Sequence, residues 1–82
     1  VKERMMDQEN KIIEIISAHL AVPRERCVMD AAFVDDLEAD SVEIIELVYR
    51  FEREFSIKIS DGEIYKIRTI RDACDTIKRK TG

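Results

Sequence analysis

The chain has 82 residues, 45% apolar and 39% charged, with a net charge of −4. That suits one small folded domain, 1–82, with little spare room for a deep enzyme cleft and too many apolar residues for a disordered tail. Residues 35–56 hold eight acids and two bases, net −6, so the remainder carries +2, and such an acidic face excludes a nucleic-acid partner and attracts basic proteins.

The only proline is Pro23 and the only glycines are Gly62 and Gly82, so an all-α fold is expected. The spacing of Ile12, Ile13, Ile16 and Leu20 predicts a first helix over about 7–20, stopped by Pro23. A long connection over about 21–39 follows. Its Cys27, Val28, Met29, Phe33, Val34 and Leu37 are too apolar for a free linker, so part of it packs down, with one short turn of helix. A loop this long in so small a domain is usually functional. A second helix is predicted over about 41–55, with Asp40 as N-cap and Glu43 completing a capping box. A short third helix, capped by Ser60 or Asp61, contains Ile64, Tyr65 and Ile67. Thr69 opens a fourth helix with Ile70, Ala73, Cys74 and Ile77 on one face, and Lys78, Arg79 and Lys80 suit the dipole of its last turn.

At about 100° per residue, the second helix has two apolar faces. Ile44, Leu47, Val48, Phe51 and Phe55 form one and read as core. Val42, Ile45 and Tyr49 fall on the opposite side, flanked by Glu43, Glu46, Arg50 and Arg53. This second stripe either packs under the long loop or docks a partner, with the rim acids steering basic surfaces toward it.

Ser41 stands at the start of that helix, after Asp40 and among carboxylates, where a core residue is out of place and a reachable hydroxyl is not. As a catalytic nucleophile it needs a base. The only histidine, His19, lies near the end of the first helix and reads as a surface or helix-end residue. There is no Gly-x-Ser-x-Gly turn, phosphate-binding glycine loop or calcium loop, and Cys27 and Cys74 lack zinc-ligand spacing. We expect no catalytic residue, no metal site and free thiols in a cytoplasmic protein with no integral membrane association. What remains is a hydroxyl that receives chemistry from elsewhere.

The run Phe33-Val34-Asp35-Asp36-Leu37-Glu38-Ala39-Asp40-Ser41, followed by Glu46-Leu47-Val48, resembles the acyl carrier proteins of the free-standing bacterial type. The likeness extends from about Asn10 to Lys80, through Phe55-x-Ile57-x-Ile59 and Ile67-x-Thr69-Ile70. It implies a four-helix bundle with a long first loop and a short third helix. It implies a monomer carrying 4′-phosphopantetheine on Ser41, donated from coenzyme A by a separate Mg²⁺-dependent phosphopantetheinyl transferase that also reads Asp40. The arm's thiol, not Cys27 or Cys74, then holds acyl cargo as thioesters for acyl-handling enzymes of fatty-acid or related biosynthesis. Partner recognition falls on Asp36, Val42, Glu43, Ile45, Glu46, Tyr49, Arg50 and Arg53. The implied acyl pocket draws on Ile44, Leu47, Val48, Phe51, Ile59 and Ile67, which also serve as core.

The chain departs from the family pattern at four places. Glu38 stands where glycine is common, Val42 replaces the usual leucine after the serine, and Arg50 and Arg53 interrupt the acidic recognition face. These departures point to altered partner choice, as in a specialised carrier for polyketide or other secondary pathways or a fatty-acid carrier matched to its own enzymes. The competing class is a small helical interaction module in which Ser41 is only a helix cap or a phosphorylation site.

Overall fold

The computed structural model describes residues 2–82, with side chains from residue 8 onward. Four helices follow one another: α1 (Lys2–Leu20), α2 (Ser41–Phe55), α3 (Asp61–Lys66) and α4 (Ile70–Thr81). No strand occurs among the described residues, and one 3-10 turn (Arg24–Arg26) supplies the short helical turn expected in the long connection.

Helix α1 starts earlier than its apolar periodicity suggested, because Lys2 to Gln8 are helix formers with no breaker among them. It ends where Ala21 turns left-handed (φ 55°) and the Val22 N–H reaches back to the Ser17 carbonyl at 3.1 Å, ahead of Pro23. The other three helices open on reciprocal capping boxes: Asp40 with Glu43, Ser60 with Glu63, and Thr69 with Asp72. Each box satisfies two amide donors that the first turn leaves unpaired. Ile67, expected inside α3, lies just beyond it as its C-cap.

The core gathers one stripe from each long helix. Ile12 and Ile16 of α1, Leu47, Val48 and Phe51 of α2, and Ile70, Ala73 and Ile77 of α4 are all buried. From the connection, Cys27, Phe33 and Leu37 are buried and Met29 packs against them, whereas Val28 and Val34 stay exposed. Burying each of the Ile, Leu, Val and Phe side chains is worth roughly 1.5–3 kcal/mol. Helix α3 buries none of its residues. It rides on the surface, held to α4 by Glu63, whose carboxylate meets Lys80 at 2.8 Å and Arg79 at 3.9 Å.

The connection is sewn to the α3–α4 junction. The Phe33 N–H donates to the Arg68 carbonyl (2.9 Å), Ile70 N–H to Ala31 (3.1 Å) and Arg71 N–H to Met29 (2.9 Å). Ala32 and Thr69 form an antiparallel bridge. These bonds hold residues 29–33 of the connection against residues 68–71 at the start of α4.

Candidate functional site

Ser41 is the first residue of α2 and is exposed. The cap beside it is complete without it. Asp40 Oδ1 accepts the Glu43 N–H at 2.8 Å, and Glu43 Oε1 accepts the Asp40 N–H at 3.1 Å. Ser41 Oγ has no hydrogen-bond partner among the described residues. The hydroxyl is therefore fixed in place by its backbone and left free at its oxygen.

It opens onto a groove of ≈ 410 Å³ between the connection, α2 and α3, within the size range of small-molecule sites. Buried Phe33 and Ile67 and half-buried Ile44 and Ile64 form its apolar base, while exposed Val34, Tyr49 and Tyr65 stand at the rim. Asp35, Asp61 and Arg68 are its charged lining.

Of the six residues expected to line an acyl pocket, Ile44 and Ile67 face this groove. Leu47, Val48, Phe51 and Ile59 are sealed in the core instead, each no more than 6% exposed. The division follows from α2's wheel: Leu47, Val48 and Phe51 face α1 and α4, whereas Ile44 turns toward α3. Phe33, Val34, Ile64, Tyr65 and Arg68 line the groove without having been marked as pocket residues. The available signal was the surplus of apolar residues in the long connection and in a helix as short as α3.

The second stripe of α2 is not covered by the loop. Val42 is 63% exposed, Ile45 40% and Tyr49 58%. Ile45 and Tyr49 also line the groove, so the outward face and the groove share an edge. The charged residues around the stripe are less uniformly free. Asp36 Oδ2 accepts the Ala32 N–H at 2.7 Å and braces the loop, while Glu43 is used in the cap. Glu46 lies 3.7 Å from His19 Nε2, and Arg50 donates to His19 Nδ1 at 3.4 Å. His19 is a helix-end residue, in the last turn of α1, and its side chain is 16% exposed as it reaches toward α2. Arg50 is tethered to it, whereas Arg53 has no side-chain partner among the described residues.

Glu38 takes a left-handed backbone conformation, φ 56°. Such a conformation costs an L-residue roughly 1–2 kcal/mol and glycine almost nothing, which is the physical meaning of the glycine expected there.

Neither cysteine competes with Ser41 as a point of attachment. Both are free and buried. Burial raises the Cys27 thiol above its ordinary value despite nearby Arg24 and Arg26. Burial, helped by the charges of Glu9 and Asp75, pushes Cys74 up to about 11. Both thiols are protonated and shielded at neutral pH, and so are poor nucleophiles.

Residues 10–77 match the family described as a phosphopantetheine attachment site. The chain is 45% identical over 73 residues to the acyl carrier protein of Zymomonas mobilis, spanning 89% of this chain and 94% of that one. It superimposes on the acyl carrier protein of Thermotoga maritima with a TM-score of 0.78 at 34% identity, covering 93% of this chain and 88% of that chain. A doublet acyl carrier protein from prodigiosin biosynthesis shares the fold, with a TM-score of 0.82 at 20% identity over 95% of this chain and 38% of that longer chain.

Proposed function

Because the chain belongs to the acyl carrier protein family, we propose that Ser41 is the residue that bears its covalent 4′-phosphopantetheine. The observation that carries this assignment is the unused Ser41 hydroxyl at the rim of the groove, beside a helix cap that Asp40 and Glu43 complete alone. A serine acting as a cap would be engaged with the helix backbone, so the cap form of the interaction-module reading loses its support, and intact mass separates a phosphate on Ser41 from the arm.

The protein is a carrier and not an enzyme. A phosphopantetheinyl transferase and acyl-handling enzymes are its partners. The residues fit the arm: an exposed hydroxyl without a base of its own requires an external transferase, and the groove beside it has an apolar base for cargo. When attached, the arm supplies a thiol that holds acyl groups as thioesters. This chain's part is to fix the attachment oxygen, present the docking face and shelter apolar cargo.

Asp40 serves the site twice in this reading, as the cap that fixes Ser41 and as a contact for the transferase. Val42, Ile45 and Tyr49 form the docking stripe, with Asp36, Glu43, Glu46, Arg50 and Arg53 around it. The carrier delivers intermediates of fatty-acid or related biosynthesis, as a cytoplasmic monomer. No helix among the described residues is long and apolar enough to cross a membrane. Arg53 favours a specialised partner set, because it places an unpaired positive charge on a face that otherwise attracts basic enzymes.

The buried thiols provide a test. Native apo protein should react slowly with a thiol reagent, and protein carrying the arm should show one fast equivalent that Ser41→Ala lacks. A fast equivalent that persists in Ser41→Ala would overturn the assignment.

A further inference from the structure

Among the described residues, Arg68 is the single base lining the groove onto which Ser41 opens. Its backbone is pinned on both sides. The carbonyl accepts the Phe33 N–H at 2.9 Å, and its own N–H donates to Asp72 Oδ2 at 3.0 Å. The guanidinium is left over. Among the described residues, no carboxylate lies within ion-pair distance of it. The contrast with the other arginines is informative: Arg24 meets Glu14, Arg26 the Asp36 carbonyl, Arg50 His19, Arg71 Asp30 and Arg79 Glu63. Among the arginines whose side chains are described, Arg53 and Arg68 keep an idle head group, and of these two Arg68 lines the groove.

The electrostatics give that head group a task. Asp35 and Asp61 line the same groove, and Asp40 and Glu43 stand beside Ser41. A phosphodiester carried on Ser41 adds another negative charge to an acidic neighbourhood. Unopposed, it would be pushed out toward water. A guanidinium offers a planar fork of donors that matches two phosphate oxygens, and its weak hydration makes pairing cheap at a half-open site.

We propose that Arg68 is the counter-ion of the phosphodiester on Ser41, holding the arm over the groove toward α3 rather than out along α2. The inference rests on the Ser41 assignment and adds to it a specific binding contact from the α3–α4 junction. It makes Arg68 a positioning residue for the arm: cargo on the thiol is biased toward Ile44, Ile64 and Ile67 while the contact holds, and is released toward a partner when it breaks.

The test uses protein carrying the arm with a free thiol and no cargo, its loading verified by intact mass. Two signals are read by NMR: the Arg68 Nε–Hε resonance, and the phosphorus resonance of the arm. Attachment of the arm should move the Arg68 Nε–Hε signal. Arg68→Gln should shift the phosphorus resonance, Arg68→Lys should restore it only in part, and Lys58→Gln, an exposed charge outside the groove, should leave it alone. High salt should erase the difference between wild type and Arg68→Gln. Coincident phosphorus resonances in wild type and Arg68→Gln, with the arm present by mass, would overturn the proposal and leave the Ser41 assignment standing. A response of Arg68 only after loading with a cargo that ends in a carboxylate, such as a succinyl group, would overturn it too, by assigning the guanidinium to the cargo. Absence of the arm in the intact mass would sink the Ser41 assignment and the proposal together.

Discussion

Asp40 and Ser41 are neighbours with divided labour. Asp40 carries the cap of α2 through its bond to the Glu43 N–H, and Ser41 carries none of it. Asp40→Ala should therefore cost about 1 kcal/mol of stability. Ser41→Ala should stay within about 0.5 kcal/mol of wild type, since an exposed hydroxyl without a partner is lost. Urea unfolding of the two variants measures the contrast. Equal losses would mean that Ser41 does hold the helix. The same division makes Ser41→Ala a clean reagent, because a variant that folds like wild type isolates the chemistry of the hydroxyl.

At the scale of elements, α2 and α3 carry distinct predictions. On α2, Arg53 is exposed and has no partner among the described residues, on a face whose remaining charges are mostly acidic. Arg53→Glu should raise the rate at which a general fatty-acid malonyl transferase loads the carrier, by a factor of a few, as befits one exposed rim charge worth about 1 kcal/mol or less. An unchanged transfer rate would remove Arg53 from partner choice. Helix α3 depends on Glu63. The hydrogen bond from Lys80, reinforced by the Ser60 N–H, holds its carboxyl down at about 2. The folded value lies below the unfolded one of about 4.3, so the contribution is complete above that pH and is lost as pH falls toward 2. Thermal melts between pH 5 and pH 2.5 should show a smaller loss of stability for Glu63→Gln than for wild type. Identical pH profiles would show that the clamp on α3 does not contribute.

The helices were legible because their start signals are local: Asp40 with Glu43, and Thr69 ahead of Ile70, lie within one turn of each other. The outward stripe of Val42, Ile45 and Tyr49 was legible for the same reason, since a helix wheel needs only one helix. The groove was not. It joins Phe33 and Val34 to Ile64, Tyr65 and Arg68, and what brings them together is the backbone pairing of residues 29–33 with 68–71. No periodicity within one segment reports that pairing. His19 lies in the last turn of α1, as one of its two readings had it, but its partners Glu46 and Arg50 come from another helix and were not legible.

The whole molecule places its core behind one edge. α1, α2, α4 and the connections supply the buried side chains, while α3 buries none, packs Ile64 against the core and is fastened by ion pairs. The edge with the least core is also the edge with the groove, the exposed tyrosines and Ser41. That asymmetry places an exposed attachment point next to an apolar groove. Its two thiols are hidden inside, so the chemistry it displays is the chemistry it is given. The most direct measurement is the intact mass of wild type and Ser41→Ala after incubation with coenzyme A and a broad-specificity phosphopantetheinyl transferase. Wild type should gain one phosphopantetheine and Ser41→Ala none; a gain in both, or in neither, would contradict the assignment of the arm to Ser41.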